Sequence, residues 1–476
     1  MDIPALAAMS STRTFSHPHS TARLSAASLT ARRTAAVLFS RAVGDTATAS
    51  HTCFQSLFRG VGWTGWASVS RPRRYAVRVL FTPLPSRTHL YHQAPLIWAF
   101  RTAGHDVRVA SQPSLTPTTL GMGLPAVEVG EGFDFMGAMV ELRNGNSFSP
   151  AQLEAMSQEE RRRLRDERFG PVVGLATRMA PDLMTFAERW RPDLIVTDPI
   201  LMAAPLVGAA LGIPLVRKIW GPDIIYGHPL QGQPFDGTER DAWPTGLTEL
   251  FDRYGAEVRN DYPLRTVDPW PTSLKQFGRP DGRVHERYIP YNGAGTVPEW
   301  VVEPPARPRV CVTWGTTNSV LGGDPALLPR VVGALTPLDI ELVVAVSPAD
   351  RAHLGELPDN VRVAENLPIN LLLPSCAAIV NQGGAGSVLT AAHLGVPQVL
   401  VPETAETPMI SLAFAGGGSA TVLEAATVDA DAVASAVTAA CTDDAIRQAA
   451  WKIRDEIAGM PSPAEVVHTL TDLVAH

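Results

Sequence analysis

The sequence predicts an α/β protein with two domains, each built around a parallel β-sheet, behind an N-terminal extension of different composition. Two observations lead to this fold class. Short β-rich apolar runs alternate with helical stretches, and the series begins twice, near residue 77 and again near residue 310. A chain of 476 residues also exceeds what one compact core usually holds, and it suits two α/β domains.

The extension comprises residues 1–74. It holds nine Arg and no Lys against Asp2 and Asp45, a net charge of +7, whereas the whole chain carries -7. It is rich in Ser, Ala and Thr and shows no sustained helical or strand period, so we exclude it from the fold. Three interpretations stay open: a disordered extension, including one from a start codon assigned too far upstream; a targeting segment, which such a composition also fits; or a functional arm.

The first domain is expected over residues 75–296. A helix with Leu96, Ile97 and Phe100 on one face should end near Gly104, which suits a helix C-terminus. A second, crossover helix is expected over Met202–Leu211. Apolar runs predict strands at Val77–Phe81, Val107–Ala110, Pro192–Val196 and Ile213–Val216.

A proline-rich linker over residues 297–308 should separate the domains, because prolines make a semi-rigid connector. The second domain is expected over residues 309–476, and its strands are continuous apolar runs, as buried parallel sheets require. The predicted strands are Val310–Thr313, Leu342–Val346, Ala377–Val380 and Val399–Val401. Ligands should bind in the cleft between the domains, at the carboxyl ends of the strands.

Composition excludes several classes of protein. No run of eighteen or more uncharged apolar residues occurs, so no transmembrane helix is expected. The net charge of -7 argues against a nucleic acid as partner. The four cysteines are scattered without a CxxC pair, which favours neither a disulfide framework nor a zinc site. We therefore expect a protein of the reducing cytoplasm.

The strongest chemical motif is the glycine-rich loop Asn381–Ser387, which follows a predicted strand and precedes a helix from Ser387 to Leu394. Such a loop offers backbone N–H groups and the positive end of a helix dipole to an anion. Its spacing is neither GxGxxG nor GxxxxGK, so hydride transfer and ATP hydrolysis lose their usual support. Taken alone, the loop fits a diphosphate site and a tight packing turn equally well.

With its flanking residues, this loop resembles the donor signature of GT-B glycosyltransferases that act on small-molecule acceptors. More narrowly, the chain resembles the deoxysugar transferases of bacterial macrolide and anthracycline biosynthesis. The resemblance runs in family order from about residue 77 to the C-terminus. The stretches that carry it are Thr88–Leu90, Pro95–Phe100, Ala103–Val109, Trp190–Leu194, Trp220–Ile224, Tyr291–Gly293, Val297–Trp300, Asn381–Gln398 and Pro461–Val467.

The resemblance implies two Rossmann-like domains facing a central cleft, the first for the acceptor and the second for a nucleotide sugar. It implies inverting transfer of a deoxyhexose, from a thymidine-diphosphate donor, to a hydrophobic polyketide-type acceptor. It implies no cofactor beyond this co-substrate and no metal ion, since enzymes of this type use no DxD-bound metal. Several family members need a cytochrome-P450-like activator protein, which makes such a partner an open expectation here.

Direct displacement at an anomeric carbon needs a general base for the acceptor hydroxyl. His89 is predicted on the loop just after the first strand, at that strand's carboxyl end. It matches the family's catalytic histidine, and Asp198 matches the aspartate that fixes its tautomer. A structural role for both residues is the alternative from the residues alone. His92 is the second candidate base or an acceptor-pocket residue, and Trp220 is a further acceptor-pocket candidate.

The resemblance also assigns the donor site. Gly315 and Thr316 resemble a second phosphate-facing turn, and Asn366 with Leu367 lies in the stretch that resembles the nucleobase loop. The glycine-rich loop, called the phosphate loop from here on, supplies Gln382, Gly383, Gly384, Ala385, Gly386 and Ser387. The sugar-binding acids correspond to Glu403 and Glu406.

Two departures from the family pattern stand out. Gln382 occupies the position of a histidine that contacts the diphosphate, and it cannot carry a positive charge. Glu403 and Glu406 replace an acidic-Trp-Asp cluster, with longer acids and no Trp. Two alternatives to a working transferase therefore stay open: an inactive transferase-like paralogue that acts as a binding partner, and a nucleotide-sugar epimerase, which can share the fold.

Overall fold

The structure is a computed structural model that describes residues 76–143, 155–223, 243–259, 261–278, 281–315, 323–403 and 406–474, with Gln152 and Arg240. The extension over residues 1–74 lies outside the described residues, so its three interpretations stay predictions. Residues 75–476 form one compact unit. Within the described part of the chain, no helix is long and apolar enough to cross a membrane.

The first sheet has seven strands in the order β3-β2-β1-β4-β5-β6-β7, all parallel. Strand β1 lies inside the sheet, where Leu80 is in register with Arg108 on one side and with Ile195 on the other. The strands are β1 (Arg78–Thr82), β2 (Asp106–Ser111), β3 (Ala126–Glu128), β4 (Leu194–Thr197), β5 (Leu215–Lys218), β6 (Pro263–Asp268) and β7 (Arg283–His285).

Helices cover both faces of this sheet. Alternation along β1 sends Leu80 into one hydrophobic cluster and Val79 with Phe81 into another. A sheet buried on both faces explains the continuous apolar runs of its central strands. The helices of this part are α1 (Arg87–Thr102), α2 (Thr116–Gly121), α3 (Phe135–Arg143), α4 (Gln158–Arg168), α5 (Gly170–Trp190), α6 (Ala203–Leu211) and α7 (Thr245–Arg253).

The second sheet has six parallel strands in the order β10-β9-β8-β11-β12-β13. Its strands are β8 (Arg309–Thr313), β9 (Glu341–Val346), β10 (Val361–Glu365), β11 (Ala378–Asn381), β12 (Gln398–Leu400) and β13 (Ala420–Val422). The accompanying helices are α8 (Glu299–Val302), α9 (Leu327–Leu335), α10 (Pro348–Arg351), α11 (Ile369–Leu372), α12 (Ala385–Leu394), α13 (Thr407–Gly416), α14 (Ala430–Thr442), α15 (Asp444–Gly459) and α16 (Pro463–Asp472).

Helix α16 returns to the first sheet after the second sheet is complete. A capping box between Ser462 and Glu465 fixes where this helix begins. Its buried residues Val466, Val467 and Leu470 join the cluster that lies between α1 and the first sheet. The core of the first sheet is therefore closed by a segment from the end of the second half of the chain.

Two predicted helix boundaries move once the structure is known. Helix α1 begins at Arg87, so His89 lies in its first turn rather than on the preceding loop. Helix α12 begins at Ala385, two residues before the predicted start at Ser387, because Gly384 takes the N-cap position. Both shifts place more of the candidate site on rigid helix ends.

Candidate active site

Both sheets reverse their strand order at one point, and the candidate residues follow the strands at these two points. In the first sheet β1 lies beside β4, and His89 and Asp198 come after these strands. In the second sheet β8 lies beside β11, and Gly315 and Gln382 come after those strands. Such reversals open a crevice at the carboxyl edge of a parallel sheet, where ligands bind.

His89 and Asp198 form a hydrogen-bonded pair across the first crevice. The Nδ1 atom of His89 lies 2.6 Å from Oδ2 of Asp198. The side chain of Asp198 is 2% exposed and that of His89 is 19% exposed. Because an ionised carboxylate can only accept, Nδ1 of His89 donates and Nε2 is left with its lone pair for a substrate hydroxyl.

The backbone around Asp198 fixes the direction of its carboxylate. The Asp198 amide donates to the carbonyl of Thr82, which continues the pairing of β4 with β1. Its Oδ1 accepts from the amide of Ile200 at 3.3 Å, which leaves Oδ2 for His89. The carboxylate is thus oriented from both sides, as the orienting group of a general base must be.

Trp220 lies against the other side of His89. The two ring centroids are 4.5 Å apart, with the ring planes tilted by 59°. Trp220 also packs on a hydrophobic cluster that includes Ala385 and Phe414 of the second domain. A Cβ added to the next residue, Gly221, would lie only 3.2 Å from the Cβ of Ala385. The loop after β5 therefore contacts both the candidate base and the start of α12.

A buried ion pair holds this loop, and it was not predicted from the sequence. Arg217 donates through Nη2 to Oδ2 of Asp223 at 2.8 Å, and both side chains are almost fully buried. Arg217 also donates to the hydroxyl of Thr266 on β6. The two ends of the segment that carries Trp220 are thereby tied together beneath the sheet edge.

The phosphate loop has the geometry of an anion site. Gly383 adopts φ +82°, and a Cβ there would lie 2.5 Å from the hydroxyl oxygen of Ser411, so only glycine fits. The Gly383 amide is held by Oδ1 of Asn381 at 2.8 Å. Gly384 then caps α12, whose first-turn amides, including those of Ala385, Gly386 and Ser387, have no partners within the helix.

Gln382 lies between the two glycine turns of the second sheet. Its side chain is 6% exposed, and its Oε1 atom has no hydrogen-bond partner among the described residues. Gly315 has φ +67°, and a Cβ added to it would lie only 2.7 Å from Nε2 of Gln382. The structure therefore brings Gln382 and Gly315 together, whereas Thr316 lies outside the described residues.

The remaining predicted donor residues follow two strands of the second sheet. Asn366 is exposed in a left-handed turn (φ +54°) after β10, beside a partly buried Leu367. Glu403 already has two partners, since it accepts from the indole of Trp314 at 3.2 Å and from the amide of Asp324 at 2.9 Å. A sugar hydroxyl would have to share this carboxylate. Glu406 is partly buried and directly precedes α13.

His92 lies against the second domain. A Cβ added to Gly386 would lie 3.5 Å from Nε2 of His92. The ring centroid of His92 is 5.7 Å from that of Tyr288. Burial, together with the positive charge of Lys218 and the ring of His89, lowers the pKa of His92 to about 3. His92 therefore borders the phosphate loop, whereas the sequence makes it a second candidate base or an acceptor-pocket residue.

Buried charges on β5, β6 and β7 and directly after β7 were also missed by the sequence analysis. Lys218 and Glu286 form an ion pair at 3.2 Å, and Asp268 pairs with Arg283 at 2.5 Å. Burial raises the pKa of both carboxyl groups. Charged residues in short, mixed segments look like exposed loops in a sequence. Among the residues described, no group of three or more His, Cys, Asp or Glu side chains is arranged to hold a metal.

Comparison with protein families decides the identity of this arrangement. The model for the N-terminal domain of the erythromycin biosynthesis protein CIII-like family matches residues 98–315, and the model for its C-terminal domain matches residues 329–473. This chain belongs to that family. The chain is a nucleotide-sugar-dependent glycosyltransferase, and the predicted family is confirmed.

Individual relatives span both domains. The 10-deoxymethynolide desosaminyltransferase of Streptomyces venezuelae is 37% identical in an alignment of 422 residues that covers 84% of this chain and 97% of the relative. Among solved structures, spinosyn forosaminyltransferase SpnP has a TM-score of 0.70 at 32% identity, over 84% of this chain and 100% of its own. VinC in complex with dTDP has a TM-score of 0.70 at 31% identity, over 84% and 99%. These matches confirm the GT-B fold of this CIII-like protein.

Proposed function

We propose that this CIII-like protein transfers a deoxysugar from a thymidine-diphosphate donor to a hydroxyl of a polyketide-type aglycone, with inversion at the anomeric carbon. The observation that carries the proposal is the pair of His89 and Asp198 at one crevice, connected through Trp220 and Gly221 to the start of α12 at the other. Relatives support the substrate classes: VinC is solved with dTDP, and SpnG is solved with a spinosyn aglycone.

The chemistry follows from the two crevices. Nε2 of His89 takes the proton of the acceptor hydroxyl as its oxygen attacks the anomeric carbon. The bond from that carbon to the diphosphate breaks on the opposite side, and the departing dTDP carries the negative charge. Amide N–H groups of Gly384–Ser387 and the positive end of α12 stabilise this charge. Asp198 stabilises the imidazolium that forms at His89.

The residues beyond this pair have proposed roles of unequal support. Gly315 and Gln382 fit the diphosphate because they adjoin the phosphate loop. Asn366 and Leu367 fit the nucleobase through their place after β10. Glu403 fits a sugar hydroxyl less directly, since two donors already occupy it.

A cytoplasmic setting fits the cysteines, because Cys311, Cys376 and Cys441 are all free thiols. A cytochrome-P450-like activator would then share the compartment with the enzyme. The coupling experiment below includes such an activator in one of its two conditions, to test whether the enzyme needs it.

The test is a coupling experiment. The protein is incubated with a panel of thymidine-diphosphate deoxysugars and polyketide aglycones, with and without a candidate activator, and products are identified by mass spectrometry. The anomeric configuration of donor and product is then compared by NMR. Glycosylated product of inverted configuration, lost in a His89→Ala variant, is the expected result. Donor hydrolysis or epimerisation without any coupled product would refute the proposal.

A further inference from the structure

His92 lies on the same helix as the candidate base but faces the other half of the site. It follows His89 by three residues on α1, and its ring lies beside Gly386 in the first turn of α12. Tyr288, against which the ring packs, contacts the carbonyl oxygen of Gly386 through its hydroxyl at 3.3 Å. His92 is thus a first-domain side chain placed at the phosphate loop of the second domain.

The two ring nitrogens of His92 differ in their surroundings. Nδ1 is buried and has no hydrogen-bond partner within the described residues. Nε2 also makes no hydrogen bond to a described residue, but this atom is accessible and is the nitrogen that faces Gly386. Since a proton is stabilised where water or a ligand can accept it, the ring carries its proton on Nε2.

The groups around His92 keep the ring neutral at physiological pH. Lys218 on β5 contributes a positive charge, which the carboxylate of Glu286 partly balances, and His89 lies on the same helix. Burial raises the pKa of Tyr288 to about 12, so its hydroxyl stays protonated. The ring can therefore offer one N–H and no formal charge.

The phosphate loop needs donors from outside itself. Residues 382–387 contain no Lys or Arg, and Gln382 provides only a neutral amide. The Oε1 of Gln382 is buried without a hydrogen-bond partner among the described residues, which is an independent sign that a ligand completes this pocket. Rotation of the side-chain amide by a half-turn would place Nε2–H there, as a donor to an anion. A second neutral N–H at Gly386 would add to the amides of the helix start.

We propose that His92 is a donor-binding residue, whose Nε2–H hydrogen-bonds the diphosphate of the bound nucleotide at the start of α12. The inference rests on the proposed function, because it requires a nucleoside diphosphate in this site. It replaces the acceptor-pocket role expected from the sequence. One helix then carries both the general base and a ligand of the leaving group, so donor binding positions His89 relative to the anomeric carbon.

Calorimetric titration with dTDP tests the proposal on the full chain. His92→Phe removes the N–H but keeps a flat ring, and it should weaken dTDP binding by about tenfold to a hundredfold, the range for a hydrogen bond to a charged group. His92→Gln restores a neutral N–H and should recover part of the loss. Thymidine, which lacks phosphate, should bind the wild type and His92→Phe equally.

His393→Phe is the matched control. His393 lies in the last turn of α12, at the opposite end from Gly386, and its Nδ1 is also buried without a hydrogen-bond partner among the described residues. Its substitution should leave dTDP affinity unchanged. Wild-type affinity for dTDP in His92→Phe, or an equal loss for thymidine, would overturn the inference and leave the proposed function standing. A wild type that binds no dTDP would overturn both.

Discussion

The largely buried ring of His92 should make this protein sensitive to acid, and replacing that ring should remove part of the sensitivity. The pKa of His92 falls from 6.5 to about 3 in the folded protein. Below pH 6.5 the unfolded chain therefore binds a proton that the folded chain excludes. The stability gained from the neutral ring is complete above about pH 6.5 and is lost as the pH falls toward 3. His92→Leu carries no such group.

The size of the effect follows from these two values. Between pH 7 and pH 5, protonation of the unfolded state lowers the free energy of unfolding of the wild type by about 2 kcal/mol relative to His92→Leu. For a cooperative unit of roughly 200 to 400 residues this corresponds to about 2–5 °C in Tm.

Scanning calorimetry of both proteins at pH 7 and pH 5 measures the effect. The relevant quantity is the change in Tm of the wild type minus that of the variant, because the titration of all other groups cancels in this difference. A value near 3 °C is expected. Parallel shifts in the two proteins, within about 0.5 °C, would show that the His92 ring is protonated in the folded state and would refute the burial argument.

Four further predictions concern the site and the extension. His89→Ala should lower kcat by about 10²–10⁴-fold and leave dTDP affinity within twofold, whereas Asp198→Asn should cost less because it only orients the ring; product formation and calorimetry separate the two effects. Trp220→Leu should reduce kcat by about two- to tenfold and Trp220→Phe by less, as expected for an aromatic contact, and equal losses would point to simple packing. Gln382→His should tighten dTDP binding by up to about tenfold through a charge-assisted hydrogen bond, and weaker binding would mean that the pocket is shaped around glutamine. Deleting residues 1–74 should leave Tm unchanged in calorimetry, since the segment shows no core-forming pattern, and a drop of several degrees would contradict this.

The central strands of both sheets could be predicted because they are buried on both faces and therefore consist of continuous apolar runs. The outer strands of the first sheet could not. In β6 only the last three residues are buried, and β7 is a three-residue strand whose residues are all partly exposed. Both sequences, PLRTVD and RVH, contain an arginine. Arg265 is exposed, whereas the burial of Arg283 depends on its ion pair with Asp268 on the neighbouring strand. Local pattern carries no information about such pairs.

The same distinction holds for the site. A strand followed by glycines predicts the phosphate loop, since the backbone itself forms an anion site there. The pair of His89 and Asp198 joins residues 109 positions apart, so only the family resemblance could suggest it. The contact of Trp220 with His89 and the position of His92 depend on how two domains meet. No pattern within one segment reports that arrangement. The sequence therefore assigns Trp220 only to a general acceptor pocket, and His92 to that pocket or to the role of a second candidate base.

The return of α16 to the first sheet affects how the chain can fold during synthesis. Residues 463–472 leave the ribosome only after the whole of the second sheet. Until α16 docks, its apolar side chains do not pack against Leu90, Ile97 and the adjacent face of β1, which stay partly exposed to solvent. The helix that bears the candidate base thus completes its packing late. A stop codon just before residue 462 would spare every strand of both sheets, yet it would leave an apolar stripe of α1 open to aggregation. A C-terminal fusion partner that hinders the docking of α16 should likewise promote aggregation.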